Sequence, residues 1–568
     1  MAFQRNQKLN LLRLAVLIIV AVAGVKFLFR DSLTLELHKH TGQDGGFWGR
    51  ARGSHEEPRA QGPPGAPPAA QRTDLRPEPP QRPQRPQSPA LSGAETRLVH
   101  LDLKGAAPKI SYLEQLFPLL SQLGATGVLV EYEDMFPFQG DLGILRSPYA
   151  YSEDDIEKLQ QLAAQNKLTV IPLVQTFGHV EFILKHGRFQ HLREVARYPN
   201  SLNPHAPGTW TLLRALLTQV MDRHRPGRWL ILGADEVFHL GEGGGLEDVA
   251  GHHGGDVDHM YLGHIREVVT FLTGQYPGLR LLLWDDMLRK IPAQVIRESG
   301  ITQHAAPVLW FYTPDLDTEQ IGKIITKYAE SGFSTVWFAS AFKGTTGPAQ
   351  MWTPLNHHLK NHLSWLKVIQ AMAKFPTIQY QGIVLTGWQR YDHYSVLCEL
   401  LPVGIPSLAL CLQTLVNGGF TDTTKKRILE LLGFQNIHLE QSTCEGTGSF
   451  PGSEIYHMVE RVNVQLKEKA LKVLEEESAI EGWFSRYHRR HRFGNPRNLE
   501  SFGSKLIKTF EDWESFLQGF RTRLEAVFFP DTVEEWLEEN VNVQLEPLRE
   551  LVHDYREVIQ LNGRPKSR

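Results

Sequence analysis

The feature that most constrains the fold is a series of eight short apolar runs separated by segments of helical periodicity. The runs are four to six residues long and lie at residues 98–103, 127–132, 169–174, 229–233, 279–284, 307–310, 335–338 and 382–386. Continuous apolar runs of this length are typical of parallel strands buried on both faces. Segments such as 152–166 and 261–274 have the apolar spacing of amphipathic helices, so the chain alternates strand and helix.

Eight strand–helix units within about 290 residues are the number found in a (β/α)8 barrel, whose active site lies at the carboxyl ends of the strands. The sequence therefore predicts an α/β fold, a TIM barrel over residues 97–420. A doubly wound open sheet is the alternative, but no Gly-x-Gly-x-x-Gly motif follows any of the runs.

After residue 420 the pattern changes to long amphipathic helices, predicted at 454–479, 501–528 and 533–560. We expect residues 421–568 to form a helical C-terminal region that packs on the barrel. This region has no pattern of its own that indicates a second catalytic domain.

The N-terminal part has a different composition. Residues 1–8 are predicted to be a cytoplasmic tail, and the apolar segment 9–29 is just long enough to cross a bilayer. Residues 30–96 include eleven prolines between Pro58 and Pro89 and are predicted to be a disordered stem. Basic residues before the segment favour a type II anchor with a lumenal or extracellular barrel. A cleaved signal peptide is the competing interpretation.

Charge and cysteine content exclude several classes of function. The net charge of −3 over 568 residues gives no indication of a nucleic-acid partner. The three cysteines have no spacing typical of zinc ligands and are too few for a disulfide scaffold. We predict no metal and no cofactor, and the sequence leaves the oligomeric state open.

Polar and aromatic residues follow the ends of most predicted strands, which meet at one mouth in a barrel. They are Asp102, Glu131, Gln175 with His179, Asp235 with Glu236, Trp284, Trp310 with Tyr312, and Trp388 with Asp392. Carboxylates accept hydrogen bonds from sugar hydroxyls, and aromatic rings pack against the apolar faces of pyranose rings. We therefore predict a glycan or glycoconjugate substrate, bound in part by Asp102, Glu131 and Asp392.

The pair Asp235 and Glu236 directly follows the apolar run that begins at Trp229. Two adjacent carboxyl groups at the end of a buried strand repel each other and lose hydration, which drives their pKa values apart. One carboxyl group then stays protonated while the other is ionised, as acid–base chemistry on a sugar requires. We predict that these two residues are catalytic.

Six motifs at these strand ends resemble those of glycoside hydrolase family 20, the β-N-acetylhexosaminidases, and most closely its hexosaminidase D branch. The motifs are VHLDLKG at 99–105, EYEDMFP at 131–137, QTFGH at 175–179, GADEV at 233–237, WDDM at 284–287 and TGWQRYDHY at 386–394. The resemblance runs from about residue 97 into the helical region. The typical hexosaminidase D chain begins near the first strand, which makes the nucleus or cytoplasm the alternative location.

This resemblance implies exo-hydrolysis of terminal β-linked N-acetylglucosamine or N-acetylgalactosamine with retention of configuration. In that family the 2-acetamido oxygen of the substrate attacks the anomeric carbon, which is an exception to the scheme with two catalytic carboxylates. Glu236 then matches the general acid–base, and Asp235 matches the residue that orients the acetamido group. The aromatic walls match Trp284, Trp310 and Trp388, and His179 matches the histidine of the family's loop after the third strand.

The chain departs from the family pattern at three places. The arginine of the first-strand Asp-x-x-Arg motif is absent, because Lys104 and Gly105 follow here, and Trp-x-Glu after the eighth strand is replaced by Trp388-Gln389-Arg390. No tyrosine follows the seventh strand to bond the acetamido oxygen, and we predict Tyr312 for that role.

The sequence is also compatible with two other interpretations. The first assigns the chemistry to Asp285 and Asp286, as adjacent aspartates that act on an acetamido sugar. The second is a catalytically silent, membrane-tethered barrel that binds glycans. A binding site has no need for two adjacent carboxyl groups, which favours the enzyme.

Overall fold

The computed structural model describes residues 96–224, 227–243, 257–470 and 478–566. The predicted cytoplasmic tail, the membrane segment 9–29 and the stem up to residue 95 lie outside the described residues. Across the four described ranges, we find no helix with the length and apolar character needed to cross a membrane.

Eight parallel strands form a closed barrel in which each strand pairs with the next along the chain, and the last pairs with the first. The strands are β1 Arg97–Asp102, β2 Gly127–Glu131, β3 Thr169–Leu173, β4 Trp229–Ile231, β5 Arg280–Trp284, β6 Ala305–Trp310, β7 Thr335–Lys343 and β8 Gln379–Gly387. The (β/α)8 barrel predicted from the apolar runs is confirmed.

Helices follow the strands and cover the outside of the barrel. They are α1 Ile110–Leu123, α2 Glu153–Gln165, α3 Glu181–Leu184, α4 Thr209–Arg223, α5 Val257–Gln275, α6 Ala293–Ser299, α7 Thr318–Ser331, α8 Leu355–Ala371 and α9 Leu401–Asn417. Shorter 3-10 helices lie at Glu133–Met135, Gly140–Leu145, Gly187–Leu192, Ile301–Gln303 and Met372–Lys374.

The C-terminal region is helical, as predicted, but it also contains a small sheet. Its helices are α10 Asp422–Leu432, α11 Ser453–Arg461, α12 Ser478–Trp483, α13 Arg486–Arg490, α14 Pro496–Val527, α15 Pro530–Leu537 and α16 Val543–Gln560. Strands β9 Asn436–His438 and β10 Thr443–Glu445 pair antiparallel. These strands are too short to show the alternation that identifies a strand in a sequence.

Two of the predicted long helices differ from what the structure shows. The helix predicted from residue 454 changes to a π-helix over Val462–Ala470, and a π-helix over Glu538–Asn542 lies between α15 and α16. A π-helix differs from an α-helix in its i→i+5 hydrogen bonds, and the five residues from Glu538 to Asn542 include a single apolar side chain, so apolar spacing does not distinguish the two.

The C-terminal helices contact the barrel near the end of β1. The amide of Lys109 donates to the carbonyl of Val527 at 2.7 Å, and the Thr532 hydroxyl donates to the carbonyl of Gly105 at 2.8 Å. The helical region therefore supports the chain directly after the first strand.

Pairing between neighbouring strands sets which residues reach the mouth. Asp102 lies opposite Glu131, and Glu131 lies opposite Leu173, so the carboxyl ends of β1, β2 and β3 are level. Leu173 of β3 lies opposite Ile231 of β4, so the carboxyl end of β4 is level with that of β3. The residues that directly follow β4 consequently emerge at the same rim.

Candidate active site

The acidic pair lies in a tight turn just beyond β4. Gly233, Ala234 and Glu236 adopt left-handed backbone conformations with φ of 64°, 65° and 44°. Each non-glycine residue in such a conformation costs about 1–3 kcal/mol and persists only where its surroundings hold it. A Cβ at position 233 would collide with Oε1 of Gln175, so a side chain there would displace the Gln175 amide.

Three hydrogen bonds from neighbouring elements hold this turn. Oε1 of Gln175 accepts from the amide of Ala234 at 3.3 Å, and the Tyr261 hydroxyl donates to the carbonyl of Ala234 at 2.9 Å. Oδ2 of Asp286 accepts from the amide of Glu236 at 2.9 Å. The strained backbone, and with it the direction of both acidic side chains, is therefore fixed from three sides.

His179 lies between the two carboxyl groups. Its Nε2 is 3.2 Å from Oε2 of Glu236 and 3.6 Å from Oδ2 of Asp235. The two loops approach this closely because residue 178 is glycine: a Cβ there would collide with the carbonyl oxygen of Asp235. Burial lowers the pKa of His179, but Asp235 and the hydrogen bond to Glu236 outweigh it, and the pKa lies well above its usual value. The imidazole is therefore a cation that donates to Glu236.

Asp235 is almost completely buried, and burial raises its pKa to about 7. The His179 cation lowers this pKa, whereas the carboxyl groups of Asp286, Glu236 and Glu131 raise it further. Oδ1 of Asp235 is buried and accepts no hydrogen bond from any residue that the structure describes. Since buried polar atoms are almost always paired, this oxygen is placed to accept a donor from a bound molecule.

Four aromatic side chains pack together beside the acidic pair. Trp310 stacks on Tyr312 with ring centroids 5.3 Å apart, and Trp284 lies 6.1 Å from Trp388. Nε1 of Trp388 donates to the Tyr312 hydroxyl at 3.3 Å, which joins the two pairs of rings. Nε1 of Trp310 donates to Oδ1 of Asp286 at 3.3 Å. These four aromatic residues form the aromatic group of the site.

Tyr312 connects the aromatic group to the acidic pair. Burial raises the pKa of Tyr312 above its usual value, and the nearby carboxyl groups of Asp235 and Glu236 raise it further. The hydroxyl therefore stays protonated and can donate. The arrangement combines acid–base groups on one side with apolar ring faces on the other, which suits a sugar ring.

Asp102 and Glu131 lie at the strand ends, as predicted, but their oxygens bond to the protein. Oδ2 of Asp102 accepts from the amide of Gln389 at 2.8 Å, and Oδ1 accepts from the amide of Lys104 at 3.0 Å. Glu131 bonds to Nε2 of His100 at 3.1 Å. Burial raises the pKa of Glu131, but Lys104 and His100 lower it more, to about 2. The substrate-binding role of both residues stays a prediction.

Asp392 lies in the loop after β8 and caps a local turn there. Its Oδ1 accepts from the amide of Tyr394 and from the Ser395 hydroxyl, both at 2.8 Å. No hydrogen bond within the described chain joins Asp392 to the acidic pair. Its contribution to substrate binding likewise stays a prediction.

The adjacent aspartates at 285 and 286 have separate environments. Asp285 is fully buried and bonds to Nε and Nη2 of Arg289 at 2.7 and 2.6 Å, and it also accepts from the Tyr328 hydroxyl at 2.9 Å. Asp286 instead contacts Glu236 and Trp310, and burial raises its pKa to about 6. The two carboxyl groups therefore bond to different parts of the molecule, which does not favour a site built on both.

The structure adds a residue to the site that the sequence analysis did not assign. The hydroxyl of Tyr391 donates to Oε2 of Glu236 at 3.1 Å. Tyr391 lies three residues after Trp388, within a motif that carries the resemblance. That position was the available signal, because nothing in a sequence shows that this loop reaches back to β4.

A buried cation lies next to position 105, where the family motif has an arginine and this chain has glycine. Lys104 lies 3.4 Å from Glu133 and 5.8 Å from the centroid of the Trp388 ring. Burial lowers the pKa of Lys104, but the surrounding carboxyl groups outweigh it, so the ammonium stays charged. The guanidinium of Arg390 lies directly over Gly105, where a Cβ would collide with it. The space beside residue 105 is thus filled by an arginine of the β8 loop.

Known proteins similar to this chain share its sequence over most of its length. No family model matches the chain. It is 46% identical over 464 residues to hexosaminidase D from Homo sapiens, a match that covers 82% of this chain and 95% of the human protein. It is 51% identical over 341 residues to hexosaminidase D from Bos taurus, which covers 60% of this chain and 98% of the bovine protein.

Solved structures that align with this chain have low sequence identity to it. A chitobiase from Flavobacterium johnsoniae aligns with a TM-score of 0.48 at 13% identity, over 83% of this chain and 78% of the other. A β-N-acetylhexosaminidase from Bacteroides fragilis aligns with a TM-score of 0.45 at 15% identity, over 61% of this chain and 74% of the other.

Proposed function

This chain belongs to the hexosaminidase D family, and from that premise we propose that it removes terminal β-linked N-acetylhexosamine from glycans or glycoconjugates. The reaction proposed is substrate-assisted hydrolysis with retention of configuration. Glu236 is the general acid–base, and Asp235 orients the acetamido group. N-acetylglucosamine and N-acetylgalactosamine are both candidate sugars.

One observation carries the proposal, namely the single turn that presents Asp235 and Glu236 beside the aromatic group. Asp235 has a buried oxygen that accepts no hydrogen bond from the described residues, while Glu236 is held by His179 and Tyr391. A site with one oxygen ready for an N–H donor and one carboxyl group held in place supports separate roles for the two acids.

The first chemical step is proposed as follows. The acetamido oxygen of the substrate attacks the anomeric carbon while the bond from that carbon to the leaving oxygen breaks. Glu236 gives its proton to the leaving oxygen, and the product is an oxazolinium ion. The acetamido N–H donates to Asp235, whose negative charge stabilises the positive charge that develops on the ring. In the proposal Tyr312 donates to the acetamido oxygen and Trp284, Trp310 and Trp388 enclose its methyl group.

In the second step Glu236, now ionised, takes a proton from water, and the oxygen of that water bonds to the anomeric carbon. The bond to the acetamido oxygen breaks and the sugar leaves with its original configuration. An N–H donor at Asp235 lowers the pKa of that carboxyl group, because a hydrogen bond to a carboxylate favours its ionised form. Binding of substrate thus offsets the burial that raises the pKa of free Asp235.

We expect the purified full-length protein to hydrolyse p-nitrophenyl β-N-acetylglucosaminide, the corresponding galactosaminide, or both. Retention predicts that the first sugar released is the β anomer, which proton NMR detects before mutarotation. Release of the α anomer first would contradict the substrate-assisted mechanism. Saturable binding of the free sugars without hydrolysis would instead support the alternative of a catalytically silent, glycan-binding barrel, which no contact in the described structure favours.

We also propose a location, which rests on the sequence of the N-terminal residues alone. Arg5 and Lys8 precede the apolar segment 9–29, and Arg13 lies near its start. Positively charged residues that flank a membrane segment are retained on the cytoplasmic side. The proposal is a type II anchor with the barrel in the lumen or outside the cell. The nucleus or cytoplasm is the alternative.

Sealed microsomes from cells that make the full chain test this topology. The barrel is expected to resist added protease until detergent opens the vesicles, and the protein should stay in the membrane pellet after a carbonate wash. A matched control replaces Val16, Ile18 and Val20 together with lysine, which should abolish membrane retention. Digestion without detergent, or release of the unmodified protein by carbonate, would favour the alternative location.

A further inference from the structure

One oxygen of Glu236 receives hydrogen bonds from two side chains. The Tyr391 hydroxyl is 3.1 Å from Oε2, and Nε2 of His179 is 3.2 Å from the same atom. The Tyr391 ring also meets the His179 ring edge-on, with centroids 5.8 Å apart and planes at 83°. The loops after β3 and β8 therefore converge on a single atom of Glu236, which lies in the loop after β4.

Two donors on one carboxyl oxygen determine where an acid proton can reside. Each oxygen of a carboxyl group has two lone pairs, so the donors from His179 and Tyr391 use both lone pairs of Oε2. A proton on Oε2 would have to displace one of these donors. The protonated form of Glu236 therefore has its hydrogen on Oε1.

Both donors keep their protons. The pKa of His179 lies well above its usual value because its carboxylate neighbours outweigh burial. Burial raises the pKa of Tyr391, and the charge of Glu236 raises it further. Oε2 is therefore occupied by the same two donors whether Glu236 is acid or anion.

We propose that Tyr391 is a positioning residue that, together with His179, confines the catalytic proton of Glu236 to Oε1. This inference rests on the proposed role of Glu236 as general acid–base. Tyr391 acts through Glu236 and does not touch the substrate. In the first step Oε1 delivers its proton to the leaving oxygen as the glycosidic bond breaks, and in the second step Oε1 accepts the proton of the attacking water.

The test is the variant Tyr391→Phe, which removes the hydroxyl and keeps the ring. Loss of a hydrogen bond to a charged group predicts a decrease of about 10- to 100-fold in kcat for alkyl or sugar leaving groups. A dinitrophenyl leaving group needs no proton, so its kcat should fall less than about 3-fold. The matched control is Tyr394→Phe, which removes the same atom from an exposed side chain of the same loop and should change neither rate.

The pH profile separates positioning from a merely structural role. A donor to the ionised form lowers the pKa of a carboxyl group, so its removal should move the alkaline limb of kcat/KM up by about one unit. Titratable groups facing Glu236 from the other elements are unchanged in this variant: they are His179, Asp235, Asp286 and Tyr312. An unmoved alkaline limb would overturn the proposal.

A double-mutant cycle tests whether Tyr391 acts through Glu236. In the background of Glu236→Gln, Tyr391→Phe should cause less than about a 2-fold further loss, because the two substitutions remove one function. An additional loss as large as in the unmodified enzyme would show that the hydroxyl contacts the substrate, and would overturn the positioning role.

A second variant keeps the test decisive if Tyr391→Phe does not fold. Fluorotyrosine incorporated at position 391 has nearly the same volume and a more acidic hydroxyl, so it donates more strongly. The alkaline limb should then move down, and no movement in a folded protein would contradict the proposal. If the unmodified protein cleaves neither N-acetylhexosaminide, the proposed function is wrong. If the unmodified protein is active but Tyr391→Phe loses equal activity on both kinds of leaving group, only the proposed role of Tyr391 is wrong.

Discussion

Replacement of Glu236 by glutamine is expected to lower kcat/KM on glycosides with alkyl or sugar leaving groups by about 10²- to 10⁴-fold, the usual contribution of a positioned general acid. Glutamine has nearly the same shape and can accept the hydrogen bonds from His179 and Tyr391, but it has no proton to give. The loss should shrink steadily as the leaving group becomes more acidic. A series of aryl N-acetylhexosaminides measures this dependence as the slope of log kcat/KM against leaving-group pKa.

Two comparisons make this result specific. Glu242→Gln is the same change six residues later, on an exposed side chain that bonds to His239, and it should leave the slope unchanged. Asp285→Asn should lower stability, because a largely buried cation, Arg289, loses its ionic partner. If Glu236→Gln lowered kcat/KM only slightly, and by the same factor for every leaving group, Glu236 would not be the general acid. If activity then disappeared in Asp286→Asn without a change of slope, the chemistry would have to be reassigned to the aspartate pair.

The barrel could be predicted because its strands are buried on both faces and therefore form continuous apolar runs in the sequence. Leu230 and Ile231 illustrate this, since both are fully buried and both lie within the run from which β4 was predicted. The extra length of β7 and β8 was not predicted, because Ser340 in β7 and Gln381 in β8 interrupt the apolar pattern. Hydrophobic patterning thus locates buried strands well and polar strand ends poorly.

The position of the acidic pair could also be predicted, because the residues after a barrel strand must emerge at the mouth. The hydrogen-bond donors to a strand-end carboxylate could not be predicted in this way. Asp102 follows β1 as expected, yet its oxygens accept from the backbone of Lys104 and Gln389, which lie far apart in the chain. Whether such a carboxylate faces the ligand or the protein depends on loop conformations that leave no periodic signal. Tyr391 was missed for the same reason.

Replacement of Asp235 by asparagine is expected to lower kcat/KM by about 10²- to 10³-fold, as for the removal of one group that stabilises charge in the transition state. Asparagine keeps the volume and can still accept from the acetamido N–H, so the decrease in kcat/KM measures the contribution of the negative charge alone. A thiazoline analogue of the oxazolinium ion should bind the unmodified enzyme at least about 10²-fold more tightly than substrate, since it imitates the intermediate. Most of that advantage should disappear in Asp235→Asn, measured as the ratio of the inhibition constant to KM. Asp141→Asn, an exposed residue that pairs with Arg188, is the matched control and should retain both properties.

The acetamido group of the substrate gives the sharpest form of this test. If its carbonyl oxygen is the nucleophile, then replacing the group with a hydroxyl removes the nucleophile itself, and no side chain of the acidic pair can substitute for it. In the proposed mechanism Glu236, which bonds to His179 and Tyr391, transfers protons, and Asp235 accepts from the acetamido N–H. The plain β-glucoside and β-galactoside should therefore be nearly inert in the unmodified enzyme. Efficient cleavage of either one, or a glycosyl ester trapped on Asp235 or any other carboxyl group and identified by mass spectrometry, would rule out substrate assistance and require an enzymic nucleophile.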